Sequence, residues 1–162
     1  MCGIAFSGKT TVAKRLSEAL GCAYVSLDDI NAERGLHGGE GVAVDEWEKS
    51  HSVATERMKQ LMAHSEDIVL DDTSCFRWLR DRYKGLADEN GYLAELVYLD
   101  VRLQDVQARM ARNSLTASRR PIEAKIFAEH VRRFEAPQVD EAATVLRDSE
   151  EISRWIESKS PR

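Results

Sequence analysis

Residues 3–10 read Gly3-Ile4-Ala5-Phe6-Ser7-Gly8-Lys9-Thr10, a full match to G-x-x-x-x-G-K-[ST]. With Gly at about 7%, Lys at about 6% and Ser plus Thr at about 12% of residues, a chain of this length matches by chance with a probability of about half a percent. The spacing has a chemical reason. Glycines let successive backbone N–H groups turn inward around a phosphate, and the helix that follows adds the positive end of its dipole. Gly3, Phe6, Ser7 and Gly8 would shape that cradle, and Lys9 would reach the β- and γ-phosphates of a nucleotide. The Thr10 hydroxyl would ligate Mg²⁺, and Thr11 would support the loop near the α-phosphate. ATP and Mg²⁺ are the expected cofactors.

Two acid pairs come next. Asp28-Asp29 closes the apolar run from Ala23, and Asp71-Asp72 closes Ile68-Val69-Leu70. Ligands of an open α/β sheet sit beyond the carboxyl ends of its strands, so both pairs should face the phosphate site. Each has a plainer reading, with Asp29 capping a helix from Ile30 and Asp72 making a turn with Thr73. Two such pairs beside one phosphate loop favour function for Asp28 and Asp71. Arg109 and Arg112, three apart, share a helical face and lead into a basic segment, where a guanidinium clamp suits phosphoryl transfer. His51 lies on an apolar helical stripe between Trp47 and Ala54, ordinarily the place of a core or boundary histidine. That helix follows a glycine-rich loop, which makes Trp47 and His51 candidates for an acceptor pocket.

The elements that must position these residues follow from periodicity and breakers. Lys9 to Leu20 carries an apolar stripe closed by Gly21. Ala23 to Leu27 reads as a strand. Four of the nine glycines fall between Gly35 and Gly41, a loop. Val44, Trp47, His51, Ala54, Met58 and Leu61 mark a long helix ending near His64. Ile68–Leu70 is a second strand, and Phe76, Leu79, Tyr83 and Leu86 mark a helix stopped at Asn90-Gly91. Leu93–Leu99 reads as a third strand and Leu103–Asn113 as the next helix. Ile122, Ile126, Phe127, His130 and Phe134 form another stripe, Thr144–Leu146 a last strand, and Ile152, Trp155 and Ile156 a terminal helix. Alternation of this kind predicts an α/β fold, a mostly parallel sheet covered by helices on both faces. One element is short. Only Met1 and Cys2 precede Gly3, so the strand from which the loop should hang is expected to be truncated, through a misassigned start, a deliberate truncation or a rearranged sheet.

At 162 residues the chain has the length of one domain, residues 1–162, with a core of its own. No apolar run approaches the roughly 18 residues of a membrane span, and no export signal is seen. The net charge of −5 weighs against a broad nucleic-acid surface. Cys2, Cys22 and Cys75 are odd in number and widely spaced, forming neither a metal signature nor a disulfide framework, so a cytoplasmic setting is expected. A monomer and a homodimer both remain open.

The ordering FSGKTT, VSLDD, VLDDTSCFRWLR and RMARN with its basic stretch resembles the small P-loop kinases of the zeta-toxin, chloramphenicol phosphotransferase and polynucleotide 5′-kinase group, from Gly3 to about Leu146. The resemblance implies roles. Asp28 matches the acid that takes the proton of the substrate hydroxyl, and Asp71 the acid that organises magnesium or substrate, with Asp72 beside it. Arg77 and Arg80 match arginines on a helix facing the acceptor pocket. Arg109 and Arg112 open a lid of about residues 109–121 whose arginines bind ATP phosphates, Arg112 acting in catalysis with Lys9, and Arg119 and Arg120 lie across it. Asn31 stands where polynucleotide kinases have an arginine, which lowers that reading.

The activity so implied is transfer of the γ-phosphoryl of ATP to a hydroxyl of a small molecule. A nucleic-acid 5′-hydroxyl kinase is the alternative, opposed by the acidic charge. A nucleotide-binding module or degraded kinase is another. The N-K-x-D tetrapeptide of guanine-specific switches does not occur.

Overall fold

A computed structural model describes residues 1–36, 42–116 and 122–159. Helix α1 (Lys9–Leu20) leads to β1 (Ala23–Ser26) and α2 (Leu27–Glu33), then α3 (Val44–Ala63) to β2 (Ile68–Asp71) and α4 (Arg77–Glu89). Strand β3 (Val97–Leu99), helices α5 (Leu103–Thr116) and α6 (Ala124–Arg133), a 3₁₀ turn (Val139–Glu141), β4 (Thr144–Leu146) and α7 (Ser149–Lys159) follow.

β1 pairs with β2 in parallel, Ser26 opposite Asp71, and β3 pairs with β4, Leu99 opposite Leu146. Met1 and Cys2 run between the two pairs. The Met1 amino group donates to the Leu70 carbonyl at 2.8 Å, the Cys2 N–H to Val97 O at 2.7 Å, and the Leu99 N–H to Cys2 O at 2.9 Å. The order is therefore β1, β2, the Met1–Cys2 segment, β3, β4, and Cys2 bridges in parallel to Tyr98. Met1 and Cys2 thus lead into the phosphate loop from a place between the central strands.

Side-chain alternation explains the two-sided cover. Tyr24 and Val69 belong to a cluster with Val12, Leu16, Val106 and Ile156, on the side of α1, α5 and α7. Val25, Ile68 and Leu70 turn the other way, into a cluster with Ile30, Ala54, Met58 and Leu86 of α2, α3 and α4.

Three sequence expectations change. Leu27 is helical, because the Ser26 hydroxyl caps α2 by accepting the Asp29 N–H at 3.1 Å. Asp29 is thus capped and does not cap. The third strand begins only at Val97, and Leu93 is 96% exposed, since nothing covers the apolar residues at the start of that run. Helix α5 runs on to Thr116, so the first half of the proposed lid is helical, while Arg119 and Arg120 fall outside the described residues. Among the described residues no helix is long and apolar enough to cross a membrane.

Candidate active site

The phosphate loop is held by close backbone approach. Gly3 has φ +148°, and a Cβ there would come within 2.8 Å of Ser7 Oγ and 3.1 Å of the Leu99 carbonyl. Gly8 has φ +106° and Phe6 φ 63°, the latter a left-handed conformation uncommon for a large side chain. These turns bring the chain into α1 with no side-chain cap on its first N–H groups. Among the described residues, the N–H groups of Gly8, Thr10 and Thr11 find no partner. Ser7 Oγ is buried and likewise unpartnered. Orphan amides at a helix N-terminus, beside a lysine, form a site for an anion, and this donor set fits a nucleotide phosphate. Lys9 Nζ donates to the Ile4 carbonyl at 3.0 Å, folded back over the loop.

Two later helices grip the loop. From α5, Arg109 Nη1 donates to the carbonyls of Phe6 at 3.2 Å and Ser7 at 2.6 Å. From α6, His130 Nε2 accepts the Ala5 N–H at 3.3 Å. Arg109 therefore points at loop carbonyls, where the sequence suggested phosphate oxygens. Arg112, one turn further along α5, is exposed.

The acids divide between the two faces of the sheet. Asp71 is buried and accepts the Tyr24 hydroxyl at 2.8 Å. Burial and that bond hold the Tyr24 phenol well above its ordinary pKa. Asp72 is buried too, and its Oδ2 accepts the Ser74 N–H at 2.9 Å and the Ser74 hydroxyl at 3.1 Å. This is the turn anticipated from the sequence, with Ser74 as the partner in place of Thr73. Asp28 is exposed in the first turn of α2, two residues beyond the Ser26–Asp71 pair. Among the described residues no three His, Cys, Asp or Glu side chains gather as a metal site. Thr10, exposed on the second residue of α1, and Asp71 at the end of β2 are the groups available to a magnesium ion carried by phosphates.

Behind Asp72, His51 of α3 shares a 2.7 Å hydrogen bond between its Nδ1 and the Tyr83 hydroxyl of α4. Burial lowers the His51 pKa and raises that of Tyr83, with the Asp72 charge acting on both in the raising direction. The half-buried Trp47 packs its ring 6.4 Å from His51. Trp47 and His51 neighbour each other on α3, and Tyr83, read from the sequence only as stripe, joins them.

Arg77 and Arg80 do not face that group. Arg77 places both terminal nitrogens on Asp140, at 3.2 and 2.6 Å. Arg80 is buried, with Nε and Nη2 on Glu141 at 2.5 and 2.9 Å and Nη1 on the carbonyls of Ser74 and Glu135. At least four of its five donors are therefore committed. It fastens α4 to the 3₁₀ turn, and the carboxylate that claims it, Glu141, lies 61 residues away, beyond the reach of a sequence pattern. Asn31 is buried and accepts from Ser50, which in turn receives Arg34.

The model of the family described as "AAA domain" matches residues 1–137, most of the chain. The chain belongs to this family. A Pyrococcus furiosus protein named as an adenylate kinase is 51% identical over 43 residues, spanning 24% of this chain and 24% of that relative's length. Two solved structures are similar throughout. A sugar kinase from Janibacter sp. has a TM-score of 0.71 at 17% identity, over 96% of this chain and 90% of its own. Kti12 from Chaetomium thermophilum, in complex with ADP-AlF3, has a TM-score of 0.71 at 16% identity, over 97% and 94%. The α/β fold, with parallel strands flanked by helices, is the one that these P-loop proteins share.

Proposed function

We propose that the protein is an ATP-dependent kinase that moves the γ-phosphoryl group to a hydroxyl of a small molecule. The observation that carries this reading is the phosphate loop itself, with its unpartnered amides at the start of α1, set beside the acidic ends of β1 and β2. Membership of the AAA domain family and the kinase fold support it.

In this reading Lys9 turns from the Ile4 carbonyl to neutralise the β- and γ-phosphates, and Thr10 and Asp71 would hold a Mg²⁺ ion, which would supply further positive charge at the phosphates. Arg112 answers the charge that develops on the transferred group. Asp28 takes the proton of the acceptor hydroxyl while that oxygen bonds to the γ-phosphorus. The bond from the γ-phosphorus to the bridging oxygen breaks, and ADP leaves. Asp72, His51, Tyr83 and Trp47 form the acceptor side.

The charge of that side points to an uncharged acceptor. His51 is held toward its neutral form by burial, and Asp72 is an acid. Arg77 and Arg80, the cations closest in sequence to the end of β2, are already paired with Asp140 and Glu141. Neither of these two could meet a carboxylate or phosphate on the acceptor without leaving its pair.

The test is mass spectrometry of a panel of hydroxyl compounds, neutral and anionic, incubated with ATP and Mg²⁺. A neutral member gaining about 80 Da, one HPO₃ group, is the expected result. Consumption of ATP with no phosphorylated compound in a broad panel would refute the reading.

A further inference from the structure

One peptide unit in the phosphate loop is held at both ends. The Ile4 carbonyl accepts from Lys9 Nζ at 3.0 Å and from the Ser7 N–H at 3.2 Å. The N–H of the same peptide, that of Ala5, donates to His130 Nε2 at 3.3 Å. His130 stands on α6, more than a hundred residues away, and its ring packs against Phe134, which in turn stacks on Tyr98 of β3 at 5.9 Å. Tyr98 bridges to Cys2, directly before the loop. The imidazole is therefore fixed by aromatic packing that begins and ends at the phosphate loop. Burial, and then the Lys9 charge, keep its pKa below the usual histidine value, as an Nε2 that must accept requires.

We propose that His130 is a positioning residue for the phosphate loop, holding the Ile4–Ala5 peptide in one orientation when Lys9 moves from the Ile4 carbonyl to a nucleotide phosphate. The inference rests on the reading of residues 3–10 as a phosphate loop, and it concerns a group outside that loop. When a nucleotide binds, Lys9 turns its N–H donors from Ile4 O toward the phosphate, and its hold on that carbonyl is given up or shared. Once it leaves, the Ser7 N–H is the one remaining restraint on the carbonyl, and a peptide in a turn with left-handed Phe6 next to it is free to rotate unless its N–H is anchored. A rotated peptide would carry the Ile4 carbonyl oxygen toward the anion and spoil the cradle. Arg109 holds the following carbonyls of Phe6 and Ser7 but makes no bond to this peptide.

Two substitutions separate the hydrogen bond from the packing. His130→Phe keeps a ring against Phe134 and removes the acceptor. His130→Gln offers a carbonyl oxygen that can accept the Ala5 N–H. Titration of Mg-ATP by calorimetry should show affinity five- to tenfold weaker in His130→Phe, the scale of one lost hydrogen bond, and within about twofold of the parent in His130→Gln. The Ala5 amide resonance should move upfield in His130→Phe alone, and its hydrogen exchange should quicken. Equal affinity in the parent and His130→Phe overturns the inference. So does equal loss in both variants, which would make the ring a packing element. Failure of the parent to bind Mg-ATP at all would instead remove the phosphate-loop reading, and the Ala5 exchange rates in the two variants would still decide whether His130 holds that amide.

Discussion

His51 Nδ1 and the Tyr83 hydroxyl lie 2.7 Å apart, joining α3 to α4 within the field of the Asp72 carboxylate. Both groups are neutral at pH 7, since burial disfavours imidazolium and phenolate alike. His51 Nε2 has no partner among the described residues, so one polar atom of the pair is left to meet an acceptor. Tyr83→Phe keeps the ring and removes the hydroxyl that orients the imidazole. With the acceptor identified, its KM should rise about fivefold or more while Mg-ATP affinity stays put. A change confined to ATP would show that the pair serves the nucleotide instead.

The same burial has a consequence for stability. His51 and His130 both have folded-state pKa values below the ordinary 6.5, with desolvation the largest cause in each. As pH falls through 6.5, the unfolded chain takes up protons first, so stability is complete above that value and declines toward the folded-state values. Urea midpoints at pH 7.5 and 5.5 should differ, the lower pH being less stable. The double variant His51→Gln/His130→Gln should flatten the difference. An equal drop in parent and variant would assign the effect to the carboxylates.

Much of this architecture is legible from the chain. The G-x-x-x-x-G-K-T motif, the apolar stripes and the acid pairs are local patterns, and they give the loop, the helices and the strand ends with their order. The fate of the arginines is not local. Arg80 looks like any helical arginine until Glu141 closes on it, and Arg109 three residues from Arg112 says nothing of the Phe6 and Ser7 carbonyls that claim it. His130 was visible only as one position on an apolar stripe, because its partner is a backbone amide 125 residues earlier. Side chains that bind backbone across such separations leave no spacing to read.

Arg80 should accordingly behave as a structural residue. Its side chain and that of Glu141 are 3% and 5% exposed, so removing one partner strands a buried charge. Arg80→Met should cost about 3 kcal/mol or more in denaturant unfolding, and Arg80→Met with Glu141→Leu should recover a large part of it. If Arg80→Met lowered turnover with stability intact, the arginine would belong to the acceptor site after all.

Lys9 is the counter-case, a residue whose loss should spare the fold. Its ammonium meets the Ile4 carbonyl of the loop, and α1 is anchored through the buried Val12, Ala13 and Leu16. Mg-ATP should raise the melting temperature of the parent by ligand linkage, and Lys9→Ala should lose most of that rise with its own melting temperature within a few degrees. A full shift in the variant would refute the phosphate-loop assignment.

Asp28 separates chemistry from binding. It sits beyond the end of β1, exposed, in the first turn of α2, whose N-cap is Ser26. A carboxylate suits the role of base because bond formation to the phosphorus lags in a loose transition state, and the proton leaves late. Asp28→Asn keeps size and hydrogen bonding but removes the basic lone pair. Turnover of the true acceptor should fall by roughly 10²-fold or more, the common scale for loss of a general base. Mg-ATP affinity should hold, because Lys9, the amides of α1 and Thr10 provide it. Were Asp28 a magnesium ligand, the variant would lose Mg-ATP affinity and excess Mg²⁺ would restore part of the rate. Were it a solvated residue of α2, neither quantity would move. Measuring ATP affinity and turnover in the same variant, across a range of Mg²⁺, distinguishes the three, and unchanged turnover removes Asp28 as the base.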